Sequence, residues 1–222
     1  MTSRRKSSSK PSSDYGVSKD ARNSVPGVAA ASGQTSETTR KAIAALVPAV
    51  VGALASKTST PADAAEMIRT LQRTGLDGTR FTSAASILES SGGVRDLAMM
   101  GGSLVFAIFG ERTNAVTDWL ASRAGIGRRS SLSLLTLLIP LIVNVVSMQA
   151  AGNGSLNAES LAGLLTGQSG HLRAAAPPGL AVAVGPELFG RPAIVVAPSE
   201  AGTGRFGGAQ WTLVLAFLAL AP

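Results

Sequence analysis

Apolar residues along this chain recur mostly at steps of three and four, the spacing of a helix with one buried face. Thr60-Pro61-Ala62-Asp63 opens the clearest case: a capping hydroxyl, proline at the first helical position, then an acid. Behind it, Ala64, Met67, Ile68 and Leu71 mark the inner face of a helix reaching about Arg73. The same reading places a helix from Thr35 or Ser36 to about Ser56, with Glu37 and Lys41 in the favourable i,i+4 order. It places others over 79–90, closed by Ser91-Gly92-Gly93, and over 94–109, broken by Gly101-Gly102. Three more cover 112–124 with Val116, Trp119 and Leu120 inward, 129–150, and Asn157 to about Leu165. Residues 17–32 make a weaker helix interrupted by Pro26.

The stretch LLTLLIPLIVNVV at 134–146 raises the question of a membrane. Leu132 to Ala151 carries no charge, and about 20 apolar residues suffice to cross a bilayer. Against a crossing, Arg129, Ser133, Thr136, Pro140, Asn144 and Ser147 fall on one narrow helical stripe. That predicts a nearly buried core helix with one wetted edge, where water satisfies the Thr136 carbonyl freed by Pro140. The rival is a membrane helix packing that stripe on a partner.

The elements recur. Gly33 and Gly125, like Pro48 and Pro140, stand 92 residues apart, and Ile43–Val51 lies over Leu135–Val143. With a longer loop, Thr60 falls over Asn157 and Met67-Ile68 over Leu164-Leu165. One helix-loop-helix-helix unit used twice is the expected architecture, in an all-α fold around a shared aliphatic core. The first copy bounds its apolar run with Lys41 and Lys57, too short for a comfortable span, which favours the core helix for both.

Composition supports helices: 45% of the 222 residues are apolar but 4% are aromatic, and strand-rich domains usually carry more aromatic and β-branched residues. With no cysteine, disulfide frameworks and thiolate metal sites are excluded. The net charge of +7 is concentrated at the start, where Arg4, Arg5, Lys6, Lys10, Lys19 and Arg22 oppose Asp14 and Asp20. This basic tail can touch anionic lipid or nucleic acid weakly, and lacks the apolar region of a secretory signal.

No catalytic constellation stands out, and no cofactor or metal is expected. Asp63 and Glu66 lie one turn apart, but Asp63 reads as a helix-start acid and Glu66 as surface. His171, the single histidine, has no nearby acid or nucleophile, and without cysteine it cannot complete a usual zinc set. Gly125-Ile126-Gly127-Arg128-Arg129-Ser130-Ser131 opens a helix. Arg128, Arg129 and Ser130 there form a weak anion-binding candidate without the Walker spacing or a preceding strand.

Ala44–Leu54, Ser59-Thr60-Pro61, Ile108-Phe109-Gly110 and Leu156–Leu165 together resemble the bacterial YidB-like family, the domain of unknown function numbered 937. The resemblance covers about residues 17–168 and implies an all-helical fold with no established activity and no catalytic residues. Some members continue through a membrane helix into an OmpA-like domain. The expected layout is a Ser-rich tail over 1–16, the duplicated domain over 17–168, a Pro/Gly-rich linker over 169–210 and an apolar segment over 211–222. Trp211 to Ala221 reads as a shortened membrane helix, a monotopic tether or a strand packed on the domain. The leading expectation is a non-enzymatic interaction module with a protein partner or a second copy, cytoplasmic or at the inner membrane. Behind it stand an enzyme with an unrecognised site and a nucleic-acid-associated protein.

Overall fold

The computed structural model describes residues 25–76, 87–88, 90–152 and 155–185. Among them there is no strand, and the fold is all-α. In chain order the elements are α1 (25–32), α2 (Ser36–Lys57), α3 (Pro61–Thr74), α4 (Ser91–Phe109), a 3-10 turn (Gly110–Arg112), α5 (Thr113–Ala124), α6 (Arg128–Ala151), α7 (Ala158–Ala175) and α8 (Leu180–Val184).

Local chemistry sets most of the starts. Thr35 accepts from the Thr38 amide at 3.1 Å, and Thr60 from the Asp63 amide at 3.2 Å. The Thr60 hydroxyl also donates to Asp63 Oδ2 at 2.7 Å. Asn157 and Ser160 form a reciprocal capping box at 2.8 and 3.2 Å, which ties down two otherwise orphaned donors. Gly33, Gly75 and Gly125 end their helices with φ between 66° and 70°, the left-handed region that other residues enter at a cost.

α2 lies at the centre, packed against α4, α5, α6 and α7. α6 shares its most extensive contact with α4, and α3 docks chiefly on α7. Leu46, Leu54, Leu71, Leu104, Leu120, Leu135 and Ile139 are among the large side chains fully removed from water. The inner face expected for α3, Ala64, Met67, Ile68 and Leu71, is the face that is buried.

Several expectations fail for reasons outside the local sequence. Ser91-Gly92-Gly93 does not close a helix but opens α4, with Ser90 as cap. Gly101-Gly102 does not break α4, which continues to Phe109. A Cβ on Gly101 would overlap the backbone of Thr136, so the glycine lets α4 and α6 approach closely. The wetted edge of α6 is also wrong over its second half: Pro140, Asn144 and Ser147 are buried. The Thr136 carbonyl, which the proline deprives of its helical donor, lies against the Gly101 backbone.

The linker expected from 169 begins too early. α7 runs to Ala175 and includes His171 in its helix, although the His171 side chain lies outside the described residues. Leu172, Leu180, Ala183 and Val184 are buried, so apolar burial holds this segment on the domain. The Trp119 indole donates to the Pro178 carbonyl at 3.1 Å, and Gly179 next to it adopts φ 79°. The helix expected over 79–90, apart from 87, 88 and 90, lies outside the described residues, as do the 1–16 tail, 186–210 and Trp211 to Ala221.

Element bounds keep the expected separations: α2 and α6 start 92 residues apart, and α3 and α7 start 97 apart. Their neighbours differ, because α7 packs on both α2 and α6 whereas α3 leans chiefly on α7. Matching bounds with unmatched neighbours leave duplication a hypothesis.

Candidate functional site

The first turn of α6 carries the anion-binding candidates. Arg128 and Arg129 are exposed and Ser130 is half-buried. Gly127 caps the helix without a side-chain hydrogen bond. The Arg128 guanidinium turns back onto α5, donating to Asn114 Oδ1 at 2.8 Å and lying 3.3 Å from Asp118 Oδ1. Three residues on from Arg128, the buried Ser131 hydroxyl donates to the Thr117 carbonyl at 2.7 Å. Arg128 and Ser131 therefore serve as a joint between α5 and α6, and Arg129 is left facing solvent beside them.

The acid pair considered in α3 separates into two structural roles. Asp63 belongs to the Thr60 cap. Glu66 is exposed and pairs with Arg69 at 2.8 Å and Arg73 at 3.6 Å. Among the described residues, no three His, Asp or Glu side chains gather as metal ligands do.

The most unusual surface is apolar, and periodicity did not reveal it. Met99, Gly102, Ser103 and Phe106 lie on one exposed face of α4. Phe106 is 70% exposed, Met99 63% and Leu132, on the adjacent α6, 44%. Between α4, the 3-10 turn, α5 and α6 runs a groove of about 410 Å³, whose lining includes Val105, Phe106, Leu132 and Thr136 together with the polar Glu111 and Asn114. Large apolar side chains grouped in water, unlike single ones, mark contact surfaces. One sequence signal pointed here: Met99, Met100, Leu104, Val105, Phe106 and Ile108 spread around too much of α4 for one buried stripe.

Three helical stretches are long and apolar enough to cross a membrane by length and composition: Ser36–Lys57, Gly92–Ala124 and Arg128–Ala151. They differ in where that apolar surface goes. The first and third have 72% of their most apolar window buried inside the fold, the second 33%. α2 and α6 thus spend their apolar surface on the core, and α4 keeps much of its own outside.

The family described as "Bacterial protein of unknown function (DUF937)" matches residues 17–149. The chain belongs to this family. No curated protein matches the chain, and no solved structure matches it either. The matched region of the DUF937 domain stops within α6, so α7 and α8, which complete its core here, lie beyond it.

Proposed function

We propose that this DUF937 chain is a non-enzymatic helical interaction module acting in the cytoplasm, with association to the inner membrane. The observation that carries the reading is the exposed face of α4, where Met99 and Phe106 remain in water beside Leu132, whereas the exposed Met148 and Val182 lie on other helices. Keeping a Phe side chain exposed forgoes about 1.5–3 kcal/mol of burial, and a binding partner recovers it. The Met99 thioether suits such a surface because its flexible chain adapts to the shape it meets. Support for the membrane comes from the Gly92–Ala124 stretch, which is long and apolar enough to cross and has only 33% of its window buried, and from the basic residues of the first 22 positions.

The test is photo-crosslinking in living cells. A crosslinking amino acid at Met99 or Phe106 is expected to give adducts of defined mass. The same group at Glu66 or Glu159, on the exposed surfaces of α3 and α7, is expected to give none. Adducts at the control positions but not on α4 would overturn the reading.

A further inference from the structure

We infer that the exposed face of α4 is the contact between two copies of this chain, packed antiparallel about a two-fold axis that passes between Gly102 and Ser103. The inference rests on the interaction-module reading and adds the partner. Three features of the face fit a second copy of itself.

The centre is small. Gly102 and Ser103 are exposed, and a Cβ on Gly102 would meet nothing within 4 Å, so a second helix can approach closely there. The large residues stand symmetrically about that centre, Met99 three positions before Gly102 and Phe106 three positions after Ser103. An antiparallel mate therefore places the partner's Met99 over Phe106, at the mouth of the groove beside Leu132, and repeats the contact at the other end. Thioether against aromatic ring is a favourable pairing.

The charges are complementary under the same operation. Arg95 lies beyond Met99, and Glu111 lies beyond Phe106. Both are exposed, and neither has an ion-pair partner among the described residues. Antiparallel packing brings each Arg95 toward Glu111 of the partner subunit. A face built for an anionic lipid surface would be rimmed by one sign. This rim carries Arg95, Asp96, Glu111 and Arg112, both signs at both ends, which selects a register instead.

The chain has no cysteine, so single cysteines report on the geometry of the full-length protein. Two Ser103→Cys side chains would face each other near the axis, within the roughly 4.4–6.8 Å Cα separation a disulfide needs. Two Met99→Cys side chains would be displaced along the helices by about 10 Å at 1.5 Å per residue. Mild oxidation is expected to give a covalent dimer of Ser103→Cys at least tenfold faster than of Met99→Cys. In sedimentation equilibrium, Phe106→Ser is expected to weaken association tenfold or more. Arg95→Glu and Glu111→Arg should each weaken it, and the two together should restore it. Circular dichroism checks that each variant stays folded.

A folded chain that remains monomeric up to hundreds of micromolar would overturn the inference, as would equal crosslinking at positions 99 and 103. So would a monomer whose Ser103→Cys thiol becomes protected when anionic vesicles are added. Each of those outcomes leaves the module reading to stand or fall on the mass of the cellular adducts.

Discussion

α2 and α6 share a plan. Each follows a glycine held in the left-handed region, Gly33 at φ 66° and Gly125 at φ 68°. Counting from Ser36 and from Arg128, Pro48 stands as far into α2 as Pro140 stands into α6, and both prolines are buried. Yet the two helices are secured differently. α2 holds its own start: Thr35 caps it, Glu37 sits at the positive end of its dipole, and Lys41 closes on Glu37 at 2.8 Å. α6 has no side-chain cap, and its first turn carries Arg128 and Arg129 where the dipole disfavours cations. Its start is instead held by α5, through Arg128 with Asp118 and Asn114 and through Ser131 with Thr117. The middle of α6 is held by α4, whose Gly101 presses on Thr136. One helix is specified by its own sequence, and the other by its neighbours.

The strongest way to break that contrast is Gly101→Ala. Alanine favours a helix by about 1 kcal/mol over glycine. Here its Cβ would meet backbone atoms of Thr136, which cannot swing aside. The helices must separate, and overpacking of this kind costs about 1–3 kcal/mol. A loss of about 2 kcal/mol in urea denaturation is expected for Gly101→Ala. Gly163→Ala in α7, where nothing lies within 4 Å, should gain about 0.5–1 kcal/mol. A gain at both positions would show that Gly101 is not needed for the α4–α6 contact.

The caps come next. Thr35→Ala should destabilise by about 1 kcal/mol, since it leaves the Thr38 amide without its acceptor. Gly127 has φ −69° and ψ 153°, which any residue adopts, and open space at its Cβ. Gly127→Asp should therefore supply α6 with the cap and the negative charge that α2 already has, gaining a few tenths of a kcal/mol to about 1. Thermal melts of the two variants should move in opposite directions. A loss for Gly127→Asp would mean that α5 already satisfies those amides.

The prolines sharpen the comparison further. In a straight, exposed helix Pro→Ala would gain about 3 kcal/mol. At Pro140 the substitution removes a buried ring, roughly 0.8 kcal/mol per methylene, and the Thr136 carbonyl lies against the Gly101 backbone. A change between about zero and a loss of 1 kcal/mol is expected for Pro140→Ala. Pro48→Ala should behave alike if the two helices are copies. A gain near 3 kcal/mol at both would show that neither surrounding requires its proline. Opposite signs would count against duplication.

How much was legible follows from the same contrast. α3 could be read closely because Thr60, Pro61 and Asp63 are local signals, and its four inward residues follow from helical spacing alone. The glycines of α4 read as a break in the sequence, because the reason for Gly101 lies at Thr136, on another helix. The polar stripe of α6 reads from sequence as a wetted edge, since sequence shows that Asn144 and Ser147 share a face and not that both are buried. Residues 169–185 looked like a linker because Pro177, Pro178 and Gly179 resemble one, although Trp119 and the buried Leu180 fasten them. The α4 surface was hidden for a related reason. Phe106 and Met99 carry the same apolar signal as Leu104 and Ile108, and only the packing of α6 decides which of them are left in water.

The smallest expected effect tests the part of α2 that has no counterpart in α6. The positions of Glu37 and Lys41 correspond, 92 residues on, to Arg129 and Ser133, which cannot form an ion pair. The hydrogen bond from Lys41, and then its charge, hold the Glu37 carboxyl below its usual value. A carboxylate with a depressed folded pKa adds stability above its unfolded pKa, and loses that contribution as pH falls through the folded value. Glu37→Gln should therefore lower the melting temperature slightly at neutral pH and low salt. The difference should close as the solution is acidified through the carboxylate range, and shrink in about 1 M salt, where screening reaches about 3 Å. Both side chains of the pair are largely exposed, so the shift should be small even at its largest. A difference that persisted in acid would have to come from something other than the charge, such as the packing of the glutamate stem on the first turn of α2.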